Sequence, residues 1–113
     1  MRRNDFQISE HFNLIEFQCP CCHTVMLHPM LVRKLEALRA LRGRRLSISC
    51  AYRCAKFNSS VGADLRSPHR LGIAADIKVA PRECESFAKD AASCGFARIL
   101  PRADKSYVHL EIR

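Results

Sequence analysis

His69, Asp76 and His109 are the residues of this chain whose types and spacing could do chemistry. The first two stand in Ser67-Pro68-His69-Arg70-Leu71-Gly72-Ile73-Ala74-Ala75-Asp76, the third in Tyr107-Val108-His109-Leu110-Glu111-Ile112. Two imidazoles and one carboxylate can form an open zinc shell, because they leave a fourth position for water, whereas structural zinc is closed by four protein ligands. Zinc lowers the pKa of such a water to roughly 7 and polarises a carbonyl, and a neighbouring carboxylate can carry the proton to a leaving amine. Taken singly, His69 and Asp76 would be a loop histidine and an unrelated strand-edge aspartate, but their neighbours argue for a pair. Gly72 allows a sharp turn between them, and small Ala74 shares the face of Asp76 and leaves room beside its carboxylate. Downstream, strand alternation puts Tyr107, His109 and Glu111 on one side and Val108, Leu110 and Ile112 on the other, so one face is chemical and the other is core.

The elements that must position these residues can be read from periodicity and punctuation. A helix opens after His28 with Pro29 at its first position and runs to about Arg42, where Gly43 stops it. Leu31, Leu35, Leu38 and Leu41 form its expected buried stripe, while Arg33, Lys34, Arg39 and Arg42 fall mostly on a solvated face. Leu46-Ser47-Ile48-Ser49 alternates as a short strand, and Ala51 to Gly72 reads as a long irregular connection of the kind that is usually functional. A strand from Ala74 to Val79 follows, then a helix from Pro81 to Cys94 that buries Cys84, Phe87, Ala88 and Ala91 and ends at Gly95. Two strands, about Ala97–Leu100 and Ser106–Ile112, are joined by a turn around Pro101-Arg102-Ala103-Asp104. The expected fold class is α+β, a small, mainly antiparallel sheet with flanking helices.

With the elements placed, Ser67-x-His69-x-x-Gly72-x-Ala74-x-Asp76 followed by His109 resembles the signature of the zinc D-Ala-D-Ala carboxypeptidase and L-alanyl-D-glutamate peptidase family, whose fold Hedgehog signalling domains share. Ser49-Cys50-Ala51-Tyr52-Arg53, with Asn58, Val61 and Gly62 after it, resembles the family's Ser-Gly-Tyr-Arg segment and the loop leading to its first metal ligand, with Ala51 in place of the usual glycine. Phe17-Gln18-Cys19-Pro20-Cys21-Cys22 and the helix after it resemble the small phage and bacterial members. The resemblance implies a Hedgehog/DD-peptidase-like fold, a Zn2+ ion held by His69, Asp76 and His109, and hydrolysis of peptide bonds in the stem peptides of bacterial peptidoglycan. In the family's arginine role Arg53 would stabilise an oxyanion or hold a substrate carboxylate; its plain alternative is a surface salt bridge. Ser67 would either bind substrate or cap a turn, and Tyr107 is a further substrate-side candidate on the face of His109. Many members place an acid three residues before the last histidine as general base, where this chain has Ser106. Some small relatives carry the acid two residues after the histidine, which makes Glu111 the first candidate for the base and Asp104, in the turn, the second.

Composition bounds the rest. A length of 113 residues suits one domain spanning 1–113, expected to be monomeric. No apolar run approaches the roughly 18 residues of a membrane span, and polar residues interrupt the N-terminal stretch after Met1-Arg2-Arg3, so neither a membrane segment nor a secretory signal is expected. A chain made in the cytoplasm and released to the wall as a phage lysis enzyme would fit. The net charge of +8 predicts attraction to a polyanion, and an anionic cell-wall polymer suits the resemblance. The seven cysteines do not form an evenly spaced disulfide framework. Cys19-Pro20-Cys21-Cys22 has the spacing of half a zinc knuckle that Cys50, Cys54 or His28 could complete, and buried free thiols are the simpler alternative; Cys84 and Cys94 belong on a core stripe. Two rival functions stand beside the peptidase: a non-catalytic zinc-binding module of the same fold, which the missing acid at Ser106 favours, and a nucleic-acid binder using the cysteine cluster, which lacks a basic-aromatic stacking surface.

Overall fold

Strand alternation and two apolar helical stripes meet in one core. The computed structural model describes residues 3–64 and 66–113; Met1 and Arg2, where the leader reading begins, lie outside the described residues. Strands β1 (Ile48–Cys50), β2 (Ala74–Lys78), β3 (Arg98–Arg102) and β4 (Tyr107–Glu111) form one antiparallel sheet in the order β1-β2-β4-β3. Ala75, Ile77, Val108 and Leu110 are buried against helices α1 (Pro29–Arg42) and α3 (Cys84–Ser93), whose Leu31, Leu35, Leu38, Phe87 and Ala91 complete the core. This is the expected α+β class. No helix among the described residues is long and apolar enough to cross a membrane.

Helix α1 starts and stops where its signals predict: His28 Nδ1 accepts the Met30 N–H at 3.0 Å, and Gly43 caps the C-terminus at φ 68°. The stripe itself differs from the expectation in its last turn, because Leu41 is exposed. At about 100° per residue, Leu41 lies about 80° around the helix from Leu31, whereas Arg42 returns to within about 20° of it. Arg42 therefore takes the core-facing place instead of a solvated one, with its guanidinium 4.9 Å from the centre of the Phe87 ring and 2.9 Å from Asp90. The pair joins α1 to α3. On α3, Cys84 is buried as expected, but Ala88 and Cys94 are only half-buried.

The connection from Ala51 to Gly72 is more ordered than its polar composition suggests. It contains a short helix α2 (Ala55–Ser60) and a 3-10 turn (Pro68–Leu71), and buried Asn58 braces it by donating its side-chain amide to the Asp64 carbonyl at 2.7 Å. The other shift is at Pro101-Arg102, which belongs to β3 rather than to the turn; the turn is the 3-10 segment Ala103–Lys105, closed by Ser106 at φ 58°. Proline is tolerated there because β3 is an edge strand, with one side of its backbone unpaired. Ahead of α1, a 3-10 turn (Leu14–Phe17) is held by a capping box between Asn13 and Glu16, and it delivers Phe17 edge-on to Phe12 in the core.

Candidate metal centre

Register assembles the site. The face of the sheet away from the core carries Asp76 directly opposite His109, with Cys50 and Leu100 in the same row on the flanking strands. His69 comes from outside the sheet, on the 3-10 turn that Gly72 ends at φ 71°. Glycine is required there twice over: the backbone is left-handed, and a Cβ would collide with the Met26 carbonyl. The same contact lets His28 N–H donate to the Gly72 carbonyl at 2.9 Å, pinning the turn against the start of α1.

His69 Nε2 lies 3.4 Å and His109 Nδ1 2.7 Å from the same oxygen of Asp76. The outward nitrogens have fixed partners: His69 Nδ1 donates to the Ala51 carbonyl at 2.7 Å, and His109 Nε2 donates to Glu111 at 2.7 Å. The inward nitrogens face the carboxylate as donors; because the outward nitrogens keep their own partners, a cation that displaced the inward protons would meet two ring lone pairs and the carboxylate in one small volume. This donor set fits zinc, with three protein ligands and a side left open. Burial alone would raise the pKa of Asp76, but hydrogen bonds from His109 and His69 outweigh it and hold the carboxyl at about 2. Burial alone would lower that of His69, but Asp76 and then Cys50 raise it to about 9. Cys50 stands behind the His69 ring, with Sγ 4.0 Å from Nδ1, and accepts the Arg53 Nε–H at 3.3 Å. Burial opposes ionisation of that thiol, yet bonds to His69 and Arg53 prevail and lower its pKa.

Above the three donors lies an open cleft of about 220 Å³, lined by Arg53, Ser67, His69, Asp76, Leu100, Arg102, Tyr107 and His109. Arg53 is turned inward, its Nη2 4.0 Å from Asp76 and its backbone N–H bonded to the His69 carbonyl at 3.2 Å. Ser67 makes no capping hydrogen bond with its side chain, so the turn-cap alternative has no geometry behind it. Six of the eight expected site residues, Arg53, Ser67, Tyr107, His69, Asp76 and His109, thus come together here.

The two expected proton carriers are placed differently. Glu111 is on the expected strand face, but its carboxylate meets His109 Nε2, the ring nitrogen away from Asp76, so it is turned from the point where the donors converge. Asp104 is exposed on the turn after β3 and does not line the cleft, nor does Ser106. Among the described residues, Asp76 is the only carboxylate in the lining. Sequence reasoning missed Arg102, a second guanidinium at the cleft; the cue was Pro101, whose ring suggested a turn and concealed that Arg102 pairs with Tyr107 across β3 and β4. It also left Cys50 among possible knuckle ligands, whereas its register opposite Asp76 assigns it to this site.

A small antiparallel sheet that presents two imidazoles and a carboxylate at the floor of an open cleft is the build of a single-metal hydrolase. The family model described as Peptidase M15 matches residues 7–111, and the chain belongs to that family of zinc peptidases. No curated protein matches the chain.

Proposed function

We propose that this chain is a zinc-dependent peptidase that cleaves peptide bonds in the stem peptides of bacterial peptidoglycan, with His69, Asp76 and His109 as metal ligands. The observation that carries the reading is the convergence of His69 Nε2 and His109 Nδ1 on one Asp76 oxygen, with each outward ring nitrogen already committed to a partner. Membership in the Peptidase M15 family supports the reaction class. Two guanidiniums at one cleft suit a peptide that carries carboxylates, as stem peptides do, because each offers a planar fork of donors.

When bound, zinc would supply Lewis acidity at the scissile carbonyl and an activated water. The chain's own residues then divide the remaining work. Arg53, fixed above Asp76 through its backbone and through Cys50, holds the carbonyl oxygen as negative charge develops on it. Arg102 and Ser67 orient the substrate backbone or a terminal carboxylate, and Tyr107 lines the cleft beside them. Glu111 acts as a positioning residue: it keeps the proton on His109 Nε2 and so keeps Nδ1 available as a ligand. The excess of basic residues retains the protein on an anionic wall polymer, so sedimentation with purified walls weakens as salt rises.

A second reading, a binding module of the same fold without catalysis, is favoured by the single carboxylate in the cleft lining. Mass analysis of muropeptides incubated with zinc-loaded protein separates the two. The peptidase reading expects products that have lost a terminal alanine or been cut within the stem; intact muropeptides that nonetheless bind the zinc-loaded protein would replace it with the module.

A further inference from the structure

Outside the cleft, three cysteines of one short segment, Cys19, Cys21 and Cys22, meet Cys54 from the connection before α2. The Sγ atoms of Cys19, Cys21, Cys22 and Cys54 all lie within 4.8 Å of one another. Cys19 to Cys21 is 3.7 Å and Cys21 to Cys54 is 3.3 Å, and all four thiols are free. Four sulfurs around one zinc at the ~2.3 Å Zn–S distance sit about 3.8 Å apart, at the corners of a tetrahedron. The spacing here is close to that edge and far longer than a disulfide bond of about 2 Å.

The backbone around these thiols is built as a ligand loop. Cys19 N–H donates to the Thr24 carbonyl at 2.8 Å and His23 N–H to the Cys19 carbonyl at 2.9 Å, closing a tight turn with His23 left-handed at φ 62°. Cys54 N–H points at Cys19 Sγ at 3.4 Å, and Phe57 N–H at Cys54 Sγ at 3.4 Å. Such N–H groups spread the negative charge of metal-bound thiolates, a load that four sulfurs on one divalent ion must distribute. His28, the other candidate for completing the set, is occupied in capping α1.

We propose that Cys19, Cys21, Cys22 and Cys54 bind a second zinc ion as a closed, structural site, separate from the His69, Asp76 and His109 centre. Four protein ligands leave no position for water, so this ion does no hydrolysis. It fastens the segment before α1 to the segment that carries Arg53. That junction already has Tyr52 N–H donating to the Phe17 carbonyl at 3.2 Å, and the metal adds a cross-link one residue beyond the arginine. The site therefore positions Arg53 from outside the cleft.

The test uses the whole protein purified with zinc. Elemental analysis should give two metal equivalents per chain, and a mercurial that titrates thiols should release one of them. Cobalt loading should give a thiolate-to-metal charge-transfer band, and Cys50→Ser should keep it, which excludes the cleft cysteine as its source. The paired change Cys19→Ser with Cys54→Ser should abolish the band and lower the content to one equivalent, while His69→Ala with His109→Ala should keep the band and also leave one. One metal per chain that stays bound under the mercurial, no charge-transfer band in Cys50→Ser, or two metals of which mercurial treatment releases none would each overturn the proposal. The first and last readings do not depend on any variant folding, and none requires peptidase activity, so failure here is distinct from failure of the peptidase reading.

Discussion

Glu111→Gln separates a residue that positions a ligand from one that moves a proton. The carboxylate is 8 % exposed and its 2.7 Å bond to His109 Nε2 is the outward restraint on that ring. Glutamine keeps the size and can still accept the Nε2–H, but it loses the negative charge of that partner, and its amide can turn to present a donor instead. Outer partners of this kind typically contribute 10–100-fold to metal affinity, which is about 1.4–2.7 kcal/mol. Competition against a chelating dye at neutral pH should therefore show zinc held 10–100-fold more weakly, with much of the lost turnover restored by excess zinc. A general base would behave in the opposite way: zinc affinity within about threefold of the parent, and turnover down by roughly 100-fold to 10,000-fold even at saturating metal. That second pattern would refute the positioning role and return Glu111 to the proton-transfer step.

Arg53→Ala should leave zinc content unchanged and lower turnover by roughly 100-fold, the usual cost of one oxyanion donor, with Arg53→Lys recovering only part; unchanged steady-state kinetics would remove Arg53 from the reaction. Gly72→Ala should cost about 2 kcal/mol or more in urea denaturation, since the left-handed backbone alone costs roughly 1–2 kcal/mol and the added Cβ meets Met26; a loss below about 0.5 kcal/mol would contradict the close approach. In metal-free protein, His69 is raised from 6.5 to about 9, so its contribution is complete below pH 6.5 and is lost as pH rises through 9. Asp76 is lowered from 3.8 to about 2, so its contribution is complete above pH 3.8 and is lost as pH falls through 2. Melting of chelator-treated protein should accordingly be highest between these limits and fall from pH 6.5 to 9, and a flat profile across that range would exclude the shift at His69.

Residues whose placement depends on local pattern were legible in the sequence, and those whose placement depends on a distant partner were not. Alternation set which face of β4 carries His109, and capping signals fixed α1 within a residue, because both follow from neighbours in the chain. Leu41 and Arg42 were exchanged because a leucine count ignores the accumulated rotation of the helix, and because Phe87 and Asp90 on α3 make an arginine acceptable on the core side. Pro101 was read as a turn because only the strand order reveals that β3 is an edge. The direction of the Glu111 carboxylate was beyond pattern altogether. Alternation puts it on the face of His109, but which ring nitrogen it meets depends on His109 turning Nδ1 toward Asp76 on the neighbouring strand.

The site divides its parts by the rigidity of what carries them. Asp76 and His109 sit opposite one another in adjacent strands, and neither can move without breaking the ladder. Arg53 has no such support, being in neither a strand nor a helix. Its position is the resultant of separate ties: its backbone to His69, its side chain to Cys50, and its flanking residues Tyr52 and Cys54 to the segment around Phe17 and Cys19. Loss of the thiol cluster should then leave the donor geometry at Asp76 intact while loosening the guanidinium above it. A protein built in this way would lose rate before it lost its metal, because Asp76 and His109 draw their order from the sheet and His69 from the turn that Gly72 pins against the start of α1, whereas the arginine is tied to the N-terminal segment.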